Sequence, residues 1–479
     1  MCRLRNSNPK TCSFDFPISN PGLSYIFMPP PKLNLKDLPV PQLVRRISFP
    51  VITGMFFQTM YNVVDTWAAG RLSIAALAAL SASFPIFFLI IAVCHGCQSA
   101  TAALMSHSLG AEDHDLEHKW GAQSLLFALG ISLVVGTIGW IYTPHMLRVM
   151  QVKGDELSLA TSYMHMIFLG TPCFVLSSAL NGMLSAHGET RPFRDSLIVG
   201  FLLNIVLDLW FVFGGWGVAP MGFAGIARAT VLLQGLTVIY MWIMAMRHGV
   251  LARVPWSGLI PRLALQRRLM GQGLPAMINM LTIAAGIFLY IYYAANLGTP
   301  VLAAFGTAMR IDQIALLPAI GLNTAAMTLT GHSLGAKRLD RIQETLWVCL
   351  RYGGYIYILG GPLVGIFAPF WMSLFIDDPE VIAIGARCLR VSMLVFSASV
   401  TLFTITSVLQ GLQRPMFAIW IGLYRQVLAP ILLVPLLMKK MDPADLGIWW
   451  GACISVWSGV MITLIYGYWV WTRLKKKLS

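Results

Sequence analysis

The chain has 479 residues, of which 57% are hydrophobic and 11% charged, and its mean hydropathy is +0.70. Soluble domains carry about 25% charged residues, so a soluble fold of this length is excluded, and the apolar composition excludes disorder. The formal net charge of +14 sits in short loops between apolar runs, so it does not call for nucleic acid; a polytopic helical membrane protein is what remains.

Residues 1–43 come first. They are Pro-rich, with Pro29, Pro30, Pro31, Pro39 and Pro41, and contain no long apolar run. They are expected to form a flexible leader, with Met28 as an alternative start. Charged and proline residues interrupt any stretch resembling a cleavable signal.

A membrane span needs about 20 apolar residues. Twelve candidates follow in order: 44–70, 74–106, 119–142, 158–186, 195–214, 220–246, 268–296, 300–332, 344–370, 380–411, 415–437 and 445–472. Several exceed the minimum, which predicts tilt or kinking. With the N-terminus cytoplasmic, 23 Lys and Arg fall on the inner side and five on the outer. That asymmetry places both termini in the cytoplasm of a cell inner (plasma) membrane protein.

The chain repeats itself. Residues 106–111 read Ser-His-Ser-Leu-Gly-Ala and residues 331–336 read Gly-His-Ser-Leu-Gly-Ala, an offset of 225. The same offset carries Pro50 onto Pro275 and Leu77-Ala78-Ala79 onto Leu302-Ala303-Ala304. The predicted fold is therefore all-α, with twelve transmembrane helices in two pseudo-symmetric six-helix bundles. One lobe spans 44–246 and the other 268–475, joined by a basic linker over 247–267. An even number of spans per half puts the pseudo-axis along the membrane normal, an arrangement suited to transport by rocking. Each repeated glycine is expected to end its helix, with the histidine in the last turn.

Cys94-His95-Gly96-Cys97 has CxxC spacing. No second ligand pair lies nearby, so these cysteines read as small apolar residues within a span. No metal and no cofactor is expected.

An ionisable side chain at mid-bilayer is costly and suggests use. Of 20 acidic residues, only Asp65, Asp208 and Asp312 fall within spans. Asp65 and Asp208 each lie five or six residues before the outer end of an outward-running span, about 8–9 Å deep at 1.5 Å per residue. Asn62 and Asn204 precede them by one turn, and Thr230 on the sixth span reaches a similar depth. These five residues are expected to form one polar layer that holds a proton or a small cation. Arg228, close in sequence to Thr230, could instead neutralise Asp208 in a structural pair. The second half has no such acids: the offset sets Tyr290 opposite Asp65, and Pro430-Ile431-Leu432 lies in the region of Asp208. Asp312 is expected either to pair with Arg425 or to line a substrate cavity with Tyr290. Pro50, fifteen residues before Asp65, marks either a flexible gate or a helix start. His95 and His165 are further titratable residues within spans, more easily read as structural.

Tyr61-Asn62-Val63-Val64-Asp65-Thr66, Ala69-Gly70-Arg71-Leu72, Asn204 to Asp208, and Gly222 to Gly225 leading to Ala229-Thr230 resemble the multidrug and toxic compound extrusion (MATE) family, the first-lobe acids its DinF-like branch. The resemblance covers about residues 44–475. It implies a V-shaped pair of bundles and no enzymatic activity. It implies antiport, with organic, often cationic or amphipathic, drugs leaving in exchange for H⁺ or Na⁺ as the coupling ion. It also implies a first-span proline that bends as the nearby aspartate protonates, matched by Pro50 and Asp65. Arg228 departs from the pattern and argues against Na⁺. The absence of an acid from 268–296 argues against a second-lobe carboxylate site. The expected partners are small organic molecules and the lipid bilayer, with no nucleic acid, and the chain is expected to act as a monomer. The alternative, a flippase for a lipid-linked or polyanionic precursor, would call for a basic cavity.

Overall fold

The computed structural model describes residues 35, 37–215, 217, 219–251 and 260–478. Most of the leader and residues 252–259 of the linker lie outside them. Long antiparallel helices follow one another in chain order. The first lobe contains α1 (Val40–Leu72), α2 (Ile74–Gly110), α3 (His114–Val149), α4 (Gly154–Leu169), α5 (Thr171–Ala186), α6 (Arg191–Phe213) and α7 (Phe223–Arg247). The second contains α8 (Leu263–Asn296), α9 (Thr299–Gly335), α10 (Leu339–Ile366), the short α11 (Ala368–Ser373), α12 (Pro379–Gly411), α13 (Met416–Leu423), α14 (Ala429–Lys440) and α15 (Asp445–Leu478). A π-turn, Tyr424–Leu428, joins α13 to α14.

Among the described residues, nine helices or joined helices are long and apolar enough to cross a membrane. The pair α4 and α5, bent by 47° at Gly170, makes a tenth. Helices α1 and α10 fill the first and ninth places, which completes twelve crossings.

The ends follow from local chemistry. Ser73 Oγ accepts from the Ala76 N–H at 3.0 Å, and the Asp113 carboxylate from the Leu116 N–H at 2.9 Å, each capping a helix start. Between α8 and α9 the chain turns at Gly298 with φ of 109°, a left-handed conformation that favours glycine.

Two sequence boundaries need correction. Helix α1 begins at Val40 rather than 44, because Pro39 and Pro41 preset its first turn. Val40, Leu43 and Val44 are buried with Leu322, Leu329 and Ile342 of the second lobe, so the last leader residues belong to the core. Helix α8 begins at Leu263, which takes 263–267 out of the linker. Pro50 and Pro275 are not helix starts either: both lie buried inside their helices, ten or more residues from the beginning.

The lobes meet at one end, the face where α1 begins and α15 finishes. Here α2 and α9 cross with their repeated motifs in reciprocal contact. A Cβ added at Gly110 would collide with the His332 carbonyl, and one at Gly335 with the His107 carbonyl. Gly331 packs on Ser106, and Gly321 on Ser48 and Ile52. The repeated glycines do end their helices, and their missing side chains also let the two backbones touch. Gly96 of the CxxC segment serves the same purpose: a Cβ there would lie 2.8 Å from the Gly273 carbonyl.

Burial shows how the lobes separate. Near this face almost every residue of α2 from Ser99 to Ser106 is buried. Towards the other face only Ala76, Ala79, Ser83, Ile86 and Ile90 are, a single stripe facing α2's own bundle. Helix α9 repeats the pattern: burial runs from Thr324 to Ser333, and beyond it Val301, Ala304, Ala308 and Ile311 form one stripe. The bundles are sealed together at the terminal face and splay apart at the far face.

Candidate functional site

The far-face half of the first lobe contains a buried polar cluster. Helix α6 buries Pro192, Ser196, Asn204, Asp208 and Val212, all on one i, i+4 stripe. That stripe turns Asn204 and Asp208 into the bundle. Helix α1 meets it with Asp65, buried beside Ala68 and Ala69. Helix α7 adds Thr230 and α4 adds Tyr163, both buried.

Asn204 Nδ2 donates to Asp65 Oδ1 at 3.0 Å. Asp208 lies alongside Asp65, close enough for their charges to interact. Asp65 is 7% exposed, Asn204 0% and Asp208 1%. The Tyr61 hydroxyl faces Thr230. Both Asp208 oxygens, Asn204 Oδ1, Thr230 Oγ1 and the Tyr61 hydroxyl are buried without a hydrogen-bond partner among the described residues. Each such orphan costs about 1–3 kcal/mol. A carboxylate beside another carboxylate relieves that cost by taking a proton, which gives it an O–H to donate, or by sharing a small cation. The cluster is built to accept positive charge.

The structure displaces one of the five expected members. Asn62 is exposed, unlike the buried Asp65, Asn204, Asp208 and Thr230. The inward line on α1 runs through Tyr61, part-buried with a buried hydroxyl, and the buried Asp65 and Ala68, and Asn62 lies off it. Tyr61, one turn from Asp65 at i−4, takes its place. Tyr163 was missed as well, and only the packing of α4 brings it in. Arg228 does not reach Asp208. It is exposed, and its Nη1 lies 2.9 Å from Met221 Sδ. The acid pair therefore has no basic partner among the described residues.

The expected pair between Asp312 and Arg425 does not form. Ser392 Oγ, on α12, donates to Asp312 Oδ2 at 2.9 Å, and Oδ1 has no donor. Arg425 is buried on the π-turn, with its guanidinium 5.4 Å from the Phe403 ring centre. Tyr290 is part-buried beside it. Pro50 lies four turns from Asp65 towards the sealed face. His165 stacks on Trp140 with ring centroids 4.3 Å apart and bonds its carbonyl at 3.0 Å, a structural arrangement.

A family model described as MatE matches the chain twice, over residues 50–210 and 275–435. This chain belongs to the MatE family. The second match starts and ends 225 residues after the first, the offset of the internal repeat. The MATE transporter is 27% identical over 445 residues to a probable multidrug resistance protein (YoeA) of Bacillus subtilis, a match covering 90% of this chain and 93% of that one. It is 23% identical over 406 residues to a protein of Shewanella oneidensis named as a FAD transporter, covering 84% and 88%. Its fold matches an outward-facing multidrug resistance MATE transporter with a TM-score of 0.87 at 22% identity, over 93% of this chain and 99% of that one. Twelve helices in two lobes, embedded in a membrane, are thus the architecture of a MATE transporter.

Proposed function

We propose that this protein is an inner-membrane antiporter that exports organic, often cationic or amphipathic, compounds in exchange for H⁺. The observation that carries this is the buried pair Asp65 and Asp208: Asp65 accepts from Asn204, Asp208 has no hydrogen-bond partner, and neither acid has a basic partner among the described residues. The sealed face, where α1 begins and α15 finishes, is the cytoplasmic one, as the excess of Lys and Arg in the loops on that side indicates. The splayed far half then opens outward, and external protons have a route to the pair.

The cycle follows from charge. An empty, ionised pair repels itself across a low-dielectric pocket, and neutralising it lets α1, α6 and α7 close up. Pro50 removes a backbone hydrogen bond from α1 and lets that helix bend as the pocket changes. Bending at Pro50 moves Ser48 and Ile52 against Gly321, which loosens the seal where substrate enters. Substrate binding then favours the ionised pair, and the proton leaves inward. A membrane potential contributes about 2.3 kcal/mol per charge per 100 mV to this exchange.

The test uses purified protein in vesicles with imposed gradients and a fluorescent organic cation. Efflux should follow a pH gradient and should vanish in Asp65→Asn, while the variant keeps its elution profile and melting temperature. Undiminished pH-driven efflux by that variant would refute the assignment; efflux driven only by a Na⁺ gradient would transfer the pair to Na⁺.

A further inference from the structure

The corresponding region of the second bundle buries a cation where the first buries two acids. The 225-residue offset that relates the two family matches sets Tyr290 in place of Asp65 and Ser455 in place of Thr230. The fifth span, which carries Asn204 and Asp208, corresponds to the eleventh, and there the chain departs from the α-helix into the π-turn bearing Arg425. Such turns are uncommon and recur at functional sites.

Arg425 is 6% exposed and lies between α8, α12 and α15: beside Tyr290, over the ring of Phe403, and against Gly459. Its Nε is sealed without a partner, and its guanidinium donates no hydrogen bond to a described residue. The two buried or half-buried acids of this lobe are engaged elsewhere: Asp312 with Ser392, and Asp445 with Arg387 at 3.0 Å. The guanidinium carbon lies over the Phe403 ring, 5.4 Å from its centre. A guanidinium's N–H donors fit a carboxylate in a two-point pair. A guanidinium stays charged at any physiological pH.

We propose that Arg425 is an anion-binding site inside the second lobe that receives the carboxylate of a transported amphiphile. Substrates of this transporter then include zwitterions, and their acidic end docks in the lobe opposite the proton-coupling acids. This deepens the export reading and rests on it for the word substrate, but binding itself needs no gradient.

The measurement is fluorescence polarisation on purified protein with two dyes that differ in one group: rhodamine 110, with a free carboxylate, and its methyl ester rhodamine 123. Arg425→Gln should weaken rhodamine 110 by about tenfold or more, the loss of one charge-assisted contact. It should leave rhodamine 123 within about twofold, and Arg425→Lys should restore part of the difference. Equal loss for both dyes, an unchanged rhodamine 110 affinity, or no rhodamine 110 binding to the wild type overturns the site. Repeating the titration in nanodiscs separates the sources of the anion. Displacement by phosphatidylglycerol, absent in Arg425→Gln, would give the site to a lipid phosphate and overturn the substrate assignment. The dye difference should persist in Asp65→Asn, so the export reading can fail while this one stands, and the reverse.

Discussion

In the first bundle, α1 presents Asp65 to Asn204 and Asp208 on α6, and the cluster contains two acids with no basic partner. In the second, α8 presents Tyr290 to Arg425 on the eleventh crossing, and that cluster contains a cation hydrogen-bonded to no described acid. The scaffold around the two pockets is alike: an internal proline in the leading helix, and a glycine-ended helix that meets its counterpart backbone to backbone. What differs is a handful of side chains in the pocket floor. A repeated fold can keep its packing and lose its chemical symmetry, because packing is fixed by small residues and helix length while charge is fixed by a few positions.

The comparison is most easily broken at its acids. Asp65→Asn should drop proton-driven export to the level seen without a gradient, whereas Tyr290→Phe at the matching position should keep most of it. Comparable losses in flux assays on the two variants would mean that the lobes are functionally equivalent after all.

The seal between the lobes should respond symmetrically. Gly110→Ala and Gly335→Ala each force one Cβ into the opposite carbonyl. Overpacking of that kind costs about 1–3 kcal/mol. A penalty of 1–3 kcal/mol moves a conformational equilibrium by roughly 5–150-fold. Spin-label distances across the sealed face should widen for both variants. A response from one glycine alone would show that the contact is not reciprocal in solution.

The prolines should respond unequally. Pro50→Ala restores a helix hydrogen bond in the crossing that carries Asp65 and should slow export several-fold. Pro275→Ala alters a helix that has no acid and should stay within about twofold, since an interior proline matters to transport only where bending is coupled to charge. Equal slowing in initial-rate measurements would detach the bend from the acid pair.

Smaller effects come from side chains outside both pockets. Ser392→Ala removes the single donor to Asp312 and should lower thermal stability by about 1 kcal/mol. Arg228→Ala touches neither pocket and should change stability by no more than about 0.5 kcal/mol and leave the pH dependence of efflux unaltered. A shifted pH profile in Arg228→Ala would put that arginine back beside Asp208.

Much of the molecule was legible before any coordinates. Apolar run length gave the twelve crossings, and the His-Ser-Leu-Gly recurrence gave the doubling that the two family matches repeat. Asp65, Asn204, Asp208 and Thr230 were chosen on depth and intramembrane cost, and the fold brings all four into one buried cluster. The errors were errors of direction. Asn62 and Tyr61 are adjacent in sequence, so depth cannot separate them; only the angle at which α6 crosses α1 decides which one faces inward. Arg228 and Thr230 are two residues apart and therefore point away from each other. Asp312 finds Ser392, 80 residues away, and nothing in the intervening chain signals that contact.

Composition and periodicity by themselves settled the solvent, the number of crossings and the doubling, because these depend on distance along a helix axis. The rotation of each helix about that axis, and hence the neighbours of every polar group, depends on packing between bundles. That is why only the tertiary structure could show that the two lobes close through opposed glycines, that the acids stand without a counter-charge among the described residues, and that Arg425 is buried with its Nε unpartnered.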